Sequence, residues 1–262
     1  MNLTVSMIQF DILFGSPKEN YVKVKELINK AMKSNPDVIM LPELWTTGYD
    51  LTRLDEIADY KGETTISFIG SLAKQYRVTI VAGSIAKKES DKEIYNTMFV
   101  FNPNGKVVHQ YSKVHLFRLM NEEKYLLAGN EKGSFAIGNV PSAGLICYDI
   151  RFPEWVRVHT INNGAKLLFV TAEWPKPRID HWRNLLISRA IENQCYVLAC
   201  NRVGKDPDNE FGGNSLVIDP WGQVLAEGST EEAIITTTID TNLVDEIRKR
   251  IPIFEDRRVD LY

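Results

Sequence analysis

The chain has 262 residues, with 31 Lys and Arg against 34 Asp and Glu and a formal net charge of −3; that balance offers no basic face for nucleic acid or an anionic membrane. This length fits one large domain spanning residues 1–262, burying roughly 70–75% of the surface its unfolded form exposes, so the core needs neither disulfides nor a structural metal. No apolar run reaches the ~18–20 residues of a membrane span, and MNLTVSMIQFDIL lacks the basic start and cleavage site of a secretory leader.

The first strand is LTVSMIQF (3–10), apolar and β-branched. A helix starts at Ser16-Pro17, with Ser as N-cap and Pro at the first helical position, and carries Val22, Val24, Leu27, Ile28 and Ala31 at helical spacing. DVIMLPE (37–43) is a short buried strand stopped by Pro42; a helix over 62–76 with Ile66, Ile69, Leu72 and Ala73 on one face precedes the strand RVTIVAGSI (77–85). This β-α-β-α-β order predicts parallel pairing through right-handed crossovers. Residues 95–113 then read as a hairpin about Asn102-Pro103-Asn104-Gly105, and 135–149 as a second strand pair. Pro153 opens a helix through Asn162, AKLLFVTAEW is a strand, 178–194 a helix and CYVLACNRV a strand. A hairpin turning at Asp219-Pro220-Trp221-Gly222, a last strand EEAIITTTID and a helix over 240–250 complete the chain. Two stretches of βα order, each followed by hairpins, suggest two sheets packed face to face with helices outside.

Cys147, Cys195 and Cys200 form no CxxC, and with no leader they read as three free thiols in a reducing cytoplasm. His109, His115, His159 and His181 show no HxxxH or HExxH spacing, so a metal site is not expected and chemistry falls to carboxylates, lysine or a thiol.

The informative residues end strands: Glu43 follows VIMLP, Lys113 follows VVHQYS and Cys147 follows AGLI. Ligands of α/β sheets bind beyond the carboxyl ends of strands. A carboxylate, an ammonium and a thiol there can act together as proton acceptor, stabiliser of negative charge and nucleophile. Singly, each has a plainer reading: a turn cap, a solvated lysine and an inert core thiol.

The strings LPELWTTGYD around Glu43, YSKVHLF around Lys113 and GLICYDIRFPE around Cys147 resemble the nitrilase superfamily of carbon–nitrogen hydrolases, in that order and at separations of 70 and 34 positions. The resemblance runs through Gln9 in the opening strand, SRAIENQCYVLACNRVG (188–204) and GGNSLVIDPWG (212–222), and its CYDIRFPE and HLF strings look like the omega-amidase branch. It implies a four-layer αββα sandwich, Glu43 as general base, Lys113 as oxyanion stabiliser with the Tyr148 backbone N–H, and Cys147 as nucleophile. A second glutamate, seven residues before Gly129, falls on Glu122, with Glu123 beside it as the alternative; the plain reading of either is a solvated loop charge. Lys113 is also expected to favour the Cys147 thiolate. No cofactor is required.

The resemblance implies an acidic amide such as 2-oxoglutaramate as substrate, and Arg151, four residues after the thiol, is placed to grip its carboxylate. The structural alternative is an Arg151 paired with Glu154 or Asp149. Trp174, His181 and Tyr49 are further pocket candidates. The apolar residues Leu185, Leu186, Ile187, Ala190 and Ile191 spread over more than one face of their helix; burial explains most of that, and the resemblance adds a homodimer there. Competing readings are an N-carbamoyl amino-acid hydrolase, an aliphatic amidase, a nitrile hydrolase, or a non-catalytic binding module on the same fold.

Overall fold

Both faces of the opening strands are apolar because both are covered. In the computed structural model, which describes residues 1–261, strand β1 (Asn2–Gln9) sends Leu3, Val5 and Met7 into one hydrophobic cluster and Ile8 into another. β2 (Val38–Met40) divides the same way, Val38 and Met40 against Ile39. The alternation follows from the two-residue period of a strand. The first cluster lies between two sheets. The second lies under α1 (Pro17–Ala31) and α3 (Glu63–Tyr76).

The first half is completed by α2 (Leu54–Ile57), β3 (Asp59–Tyr60), β4 (Thr79–Ser90), β5 (Glu93–Phe101) and β6 (Val107–Ser112). The second half runs α4 (Glu122–Tyr125), β7 (Ser134–Ile137), β8 (Val140–Ile146), α5 (Pro153–Asn162), β9 (Leu167–Ala172), α6 (Ile179–Asn193) and β10 (Tyr196–Asn201). It ends with β11 (Val203–Lys205), β12 (Glu210–Gly212), β13 (Leu216–Ile218), β14 (Val224–Glu227), β15 (Ala233–Asp240) and α7 (Asn242–Arg250). One sheet has the order β15-β1-β2-β4-β5-β6 with β3 also on β4, the other β14-β13-β10-β9-β8-β7, and β11-β12 form a separate ribbon. β1, β2 and β4 are mutually parallel, as are β8, β9 and β10. The sheets pack through β1 on β10 and β4 on β9, where each fully buried Val or Leu contributes about 1.5–3 kcal/mol. With helices outside both sheets, the result is the expected four-layer αββα sandwich.

Two details of the first helix differ from the sequence expectation. Val22 is 62% exposed, so the buried stripe of α1 is Val24, Ile28 and Ala31. Ser16 stands at the N-cap of α1 but its hydroxyl donates to the Phe14 carbonyl at 3.3 Å; the entry is held by the Asn20 side chain, bonded to Leu13 N–H, Leu13 C=O and Thr46 C=O. The last strand returns to the first sheet, antiparallel to β1 from Asn2↔Asp240 to Gln9↔Ala233.

β6 is antiparallel to β5, which is antiparallel to β4. β2, β4 and β6 therefore end on the same edge of their sheet. Thr171 Oγ1, at the end of β9, donates to the Leu41 carbonyl at 2.8 Å. The carboxyl ends of the two sheets meet, and the site forms there.

Candidate active site

Glu43 is held by an irregularity in its neighbour. β4 bulges between Val81 and Ser84, where Gly83 takes φ 54° and an added Cβ would stand 2.0 Å from the Pro42 carbonyl oxygen. Only glycine lets the two segments come so close. Ser84 Oγ accepts Leu44 N–H at 2.9 Å and Ser84 C=O accepts Trp45 N–H at 3.0 Å. Leu44 is left-handed at φ 41°, and Glu43 is fully buried.

Lys113 follows β6 directly and is also fully buried. Its Nζ donates to Glu43 Oε1 at 2.8 Å and to Glu122 Oε1 at 2.6 Å. Glu122, the first residue of α4, is buried and accepts Phe117 N–H on Oε2 at 2.8 Å; Glu123 is exposed, which separates the two candidates. The Gly129 counted from lies against the lysine: its N–H donates to Lys113 C=O at 2.8 Å, and a Cβ would meet Ser112 O at 2.2 Å. Tyr49 is buried with its hydroxyl 2.5 Å from Glu122 Oε1 and 3.2 Å from Glu43 Oε1, so its single proton goes to Glu122. Glu43 also accepts Asn96 Nδ2 at 2.7 Å and Glu173 N–H at 2.8 Å.

Burial alone would pull the Lys113 ammonium down, but Glu122 and Glu43 outweigh it and hold its pKa well above the usual lysine range. Burial pushes the Glu122 carboxyl up, against the pull of Lys113. Lys113 is a permanent cation here. Two of its three donors are engaged, and the third remains for developing negative charge nearby.

Cys147 begins the 3-10 turn Cys147–Arg151 after β8 and has φ 47°, a strained angle for a residue with a side chain, costing on the order of 1–3 kcal/mol. Asp149 holds that turn. Its carboxylate accepts Ile146 N–H at 2.9 Å and Tyr111 Oη–H at 2.7 Å, and it bonds His115 through N–H at 3.1 Å and Nδ1 at 2.8 Å. Burial, then the neighbouring Glu43 charge, push the Cys147 thiol well above its ordinary pKa, and Lys113 opposes them without prevailing. Lys113 thus acts in the expected direction, toward the thiolate, but burial and Glu43 outweigh it.

Beyond the sulfur, a cavity of about 10 Å³ is lined by Phe117, Cys147, Tyr148, Arg151, Trp174, Pro175 and Arg178. The Tyr148 ring packs on Phe117 and Phe152 at 4.8 and 5.3 Å. Arg151 pairs with neither Glu154 nor Asp149: its guanidinium lies 4.8 Å from the Trp174 ring, and Nη2 is 3.3 Å from Nδ1 of the exposed His181. Trp174 is buried and fixed, N–H to Asn201 Oδ1 at 2.6 Å and Nε1–H to Arg178 C=O at 2.7 Å. Of the expected site residues, Cys147, Tyr148, Arg151 and Trp174 line this cavity, Glu43, Lys113 and Glu122 form the buried cluster beside it, and His181 stands at its outer rim; Tyr49, expected in the substrate pocket, instead bonds the buried carboxylates.

Sequence reasoning missed Asn96, Asp149, Glu173 and Arg202 as parts of this centre. Glu173 is fully buried, and burial pushes its carboxyl up to about 8 against the pull of Arg202, whose Nη1 is 2.7 Å away. Arg202, equally buried, also reaches Asp11 Oδ1 at 2.8 Å and Ile12 C=O at 2.9 Å. A charge closing an apolar strand singled out Glu43, and the same signal stood in VTAE and ACNR. Among the described residues no group of three or more His, Cys, Asp or Glu is placed to hold a metal ion, and no helix is long and apolar enough to cross a membrane.

The carbon–nitrogen hydrolase family model matches residues 4–249. A 2-oxoglutaramate amidase of Bacillus subtilis is 55% identical over 263 aligned positions, covering 100% of both chains. An omega-amidase of Homo sapiens is 33% identical, over 98% of this chain and 96% of its own. A carbon–nitrogen hydrolase superfamily protein of Xanthomonas campestris, solved with an arsenic adduct in its active site, superposes at a TM-score of 0.91 with 30% identity, over 98% of this chain and 97% of that one. The chain belongs to the carbon–nitrogen hydrolase family.

Proposed function

We propose that this protein is an omega-amidase that hydrolyses the terminal carboxamide of 2-oxoglutaramate to a carboxylate and ammonia through a Cys147 thioester. The observation that carries the reading is one lysine nitrogen bridging Glu43 and Glu122 beside the Cys147 thiol, with Arg151, which among the described residues meets no carboxylate, at the same cavity. The 55% identical relative acts, by its name, on this amide.

In the first half, Cys147 Sγ attacks the carboxamide carbon while its proton passes to Glu43. The tetrahedral oxygen takes the third hydrogen of Lys113 and the N–H of Tyr148, which has no acceptor within its own turn. Each such donor is worth roughly 3–4 kcal/mol of barrier. Glu43 returns the proton to the nitrogen, ammonia leaves and the thioester remains. In the second half Glu43 takes a proton from water as its oxygen attacks the thioester, and the proton goes back to the departing sulfur. Glu122 and Tyr49 orient Lys113 and Glu43 and keep the two carboxylates apart. Trp174 and His181 support Arg151, which holds the distal carboxylate.

The reading extends to a cytoplasmic homodimer. Its three cysteines are free, and Ile191 and Trp221 are 51% and 45% exposed beside each other's segments. Ammonia release across 2-oxoglutaramate, an N-carbamoyl amino acid, a nitrile and a neutral aliphatic amide tests the activity. The expected result is a strong preference for 2-oxoglutaramate, absent in Cys147→Ala, with a thioester adduct on Cys147 in quenched wild-type enzyme. A preference for a neutral amide, or turnover by a folded Cys147→Ala, overturns it. Light scattering in solution tests the dimer.

A further inference from the structure

Two guanidiniums face the cavity over Cys147. Arg151 comes from the turn after β8 and Arg178 from the turn before α6. Among the described residues neither meets a carboxylate. Arg151 rests on the Trp174 ring and Arg178 on the Phe117 ring, at 4.8 and 5.5 Å. Both are partly buried. Two like charges sharing one small cavity repel, and stacking on rings offsets only part of that. An anion entering between them removes the conflict. Arg178 is built for the change: its carbonyl is pinned by Trp174 Nε1 at 2.7 Å, so its long side chain can leave Phe117 without moving the backbone. It has to move, because a cavity of about 10 Å³ holds roughly one water.

We propose that Arg178 is a specificity-determining residue, holding the acid end of the substrate together with Arg151, and that the pair reads a carboxylate with an oxygen acceptor on the adjoining carbon, as in a 2-oxo acid. This rests on the acidic-amide reading above and narrows it. One guanidinium takes one lone pair on each carboxylate oxygen with its parallel donors, and a second guanidinium on another side can reach those that remain. A 2-oxocarboxylate adds a third oxygen in the same planar unit, so the second fork can bridge a carboxylate oxygen and the oxo oxygen, a bidentate contact that a plain carboxylate offers it less well.

The test is the ammonia-release kinetics of wild type, Arg178→Met and Arg178→Lys on three amides of one length: 2-oxoglutaramate, the monoamide of glutaric acid, and pentanamide. Arg178→Met is expected to lose about ten- to a hundredfold in kcat/KM on 2-oxoglutaramate, mostly in KM, less on glutaric monoamide and nothing on pentanamide. Arg178→Lys, keeping the charge without the fork, should fall between; it carries the test if the methionine variant does not fold. Binding of the same amides to Cys147→Ala with and without Arg178→Met, by calorimetry, should show the same order without turnover. An equal loss on all three amides, or no loss on any, in an enzyme that still prefers 2-oxoglutaramate overturns this inference alone. A wild-type enzyme that handles pentanamide as well as the acidic amides overturns the acidic-amide reading with it.

Discussion

Replacing Lys113 by Met keeps the volume of the side chain and removes the charge that two buried carboxylates share. Lys113 Nζ stands 2.8 Å from Glu43 Oε1 and 2.6 Å from Glu122 Oε1, and all three side chains are fully buried. Removing one partner of a buried ion pair costs about 3–5 kcal/mol. Two carboxylates left facing each other respond by capturing a proton. The folded variant then holds a proton that the unfolded chain releases above the ordinary glutamate pKa of about 4.3. The folded state thus binds more protons, so the variant loses stability as pH rises, by about 1.4 kcal/mol per unit until the folded-state pKa is passed. In wild type the Lys113 pKa lies well above the usual lysine range, so its contribution is lost only in strong alkali. The difference between the two proteins should therefore be small near pH 5 and large near pH 8 in urea denaturation. Ammonia release should fall at least ~10²–10³-fold, the cost of one oxyanion donor. A deficit that does not change with pH, or a variant within tenfold of wild-type activity, would refute the shared-cation picture.

Glu43→Gln keeps the shape but removes the proton acceptor, so both acylation and thioester hydrolysis should fail in single-turnover measurements; normal acylation with only the second half lost would contradict one base serving both. Iodoacetamide should label Cys147 well before the deeply buried Cys195 and Cys200, and Glu43→Gln should slow that labelling because the neutral thiol loses its base; equal labelling of all three thiols speaks against an activated site. Arg151→Met should raise KM strongly for 2-oxoglutaramate and weakly for a neutral amide, a roughly ten- to hundredfold selective loss; a uniform loss would make Arg151 structural. Burial lowers His159 to about 4 from an unfolded value near 6.5, so the unfolded state binds the extra proton and stability should drop by about 3 kcal/mol between those values. His159→Gln should flatten that limb of a pH series of denaturation curves, and an unchanged limb would assign the acid sensitivity elsewhere.

Much of this architecture is legible in the sequence because strand ends and helix starts are marked by residues with one strong physical preference. Pro153 opens α5 at the expected residue, and the turns at Asn102–Gly105 and Asp219–Gly222 join the expected strands. Glu43, Lys113 and Cys147 could be singled out because a polar residue closing an apolar strand has to be answered by something. Resemblance was needed to tie the three together; it put the second glutamate at Glu122 with Glu123 still open, and the burial of one against the exposure of the other separates them. The long-range partners were not legible. Asn96 lies mid-strand in β5, where its neighbours suggest only packing, and its amide meets Glu43 across 53 positions of sequence.

The remaining omissions share one cause: a buried charge declares itself only through its partner, and here the partners are assembled by the meeting of two sheets. Glu173 closes β9 of the second sheet, yet its backbone N–H holds a carboxylate from the first, and its own carboxylate depends on Arg202, which depends on Asp11 beyond β1. Each link joins segments more than twenty residues apart, so no window of sequence contains a pair. The same assembly acts on the Cys147 thiol. Lys113 pulls toward the thiolate, but full burial and the facing Glu43 act the other way and prevail. In the proposed mechanism, a thiol that stays neutral until Glu43 takes its proton costs no further buried negative charge before substrate arrives. The strained φ of Cys147 sets that thiol at the end of β8 on the cavity shared by Arg151 and Arg178, and under the proposed mechanism a substrate filling that cavity brings its carboxamide to the sulfur as Glu43 takes the proton.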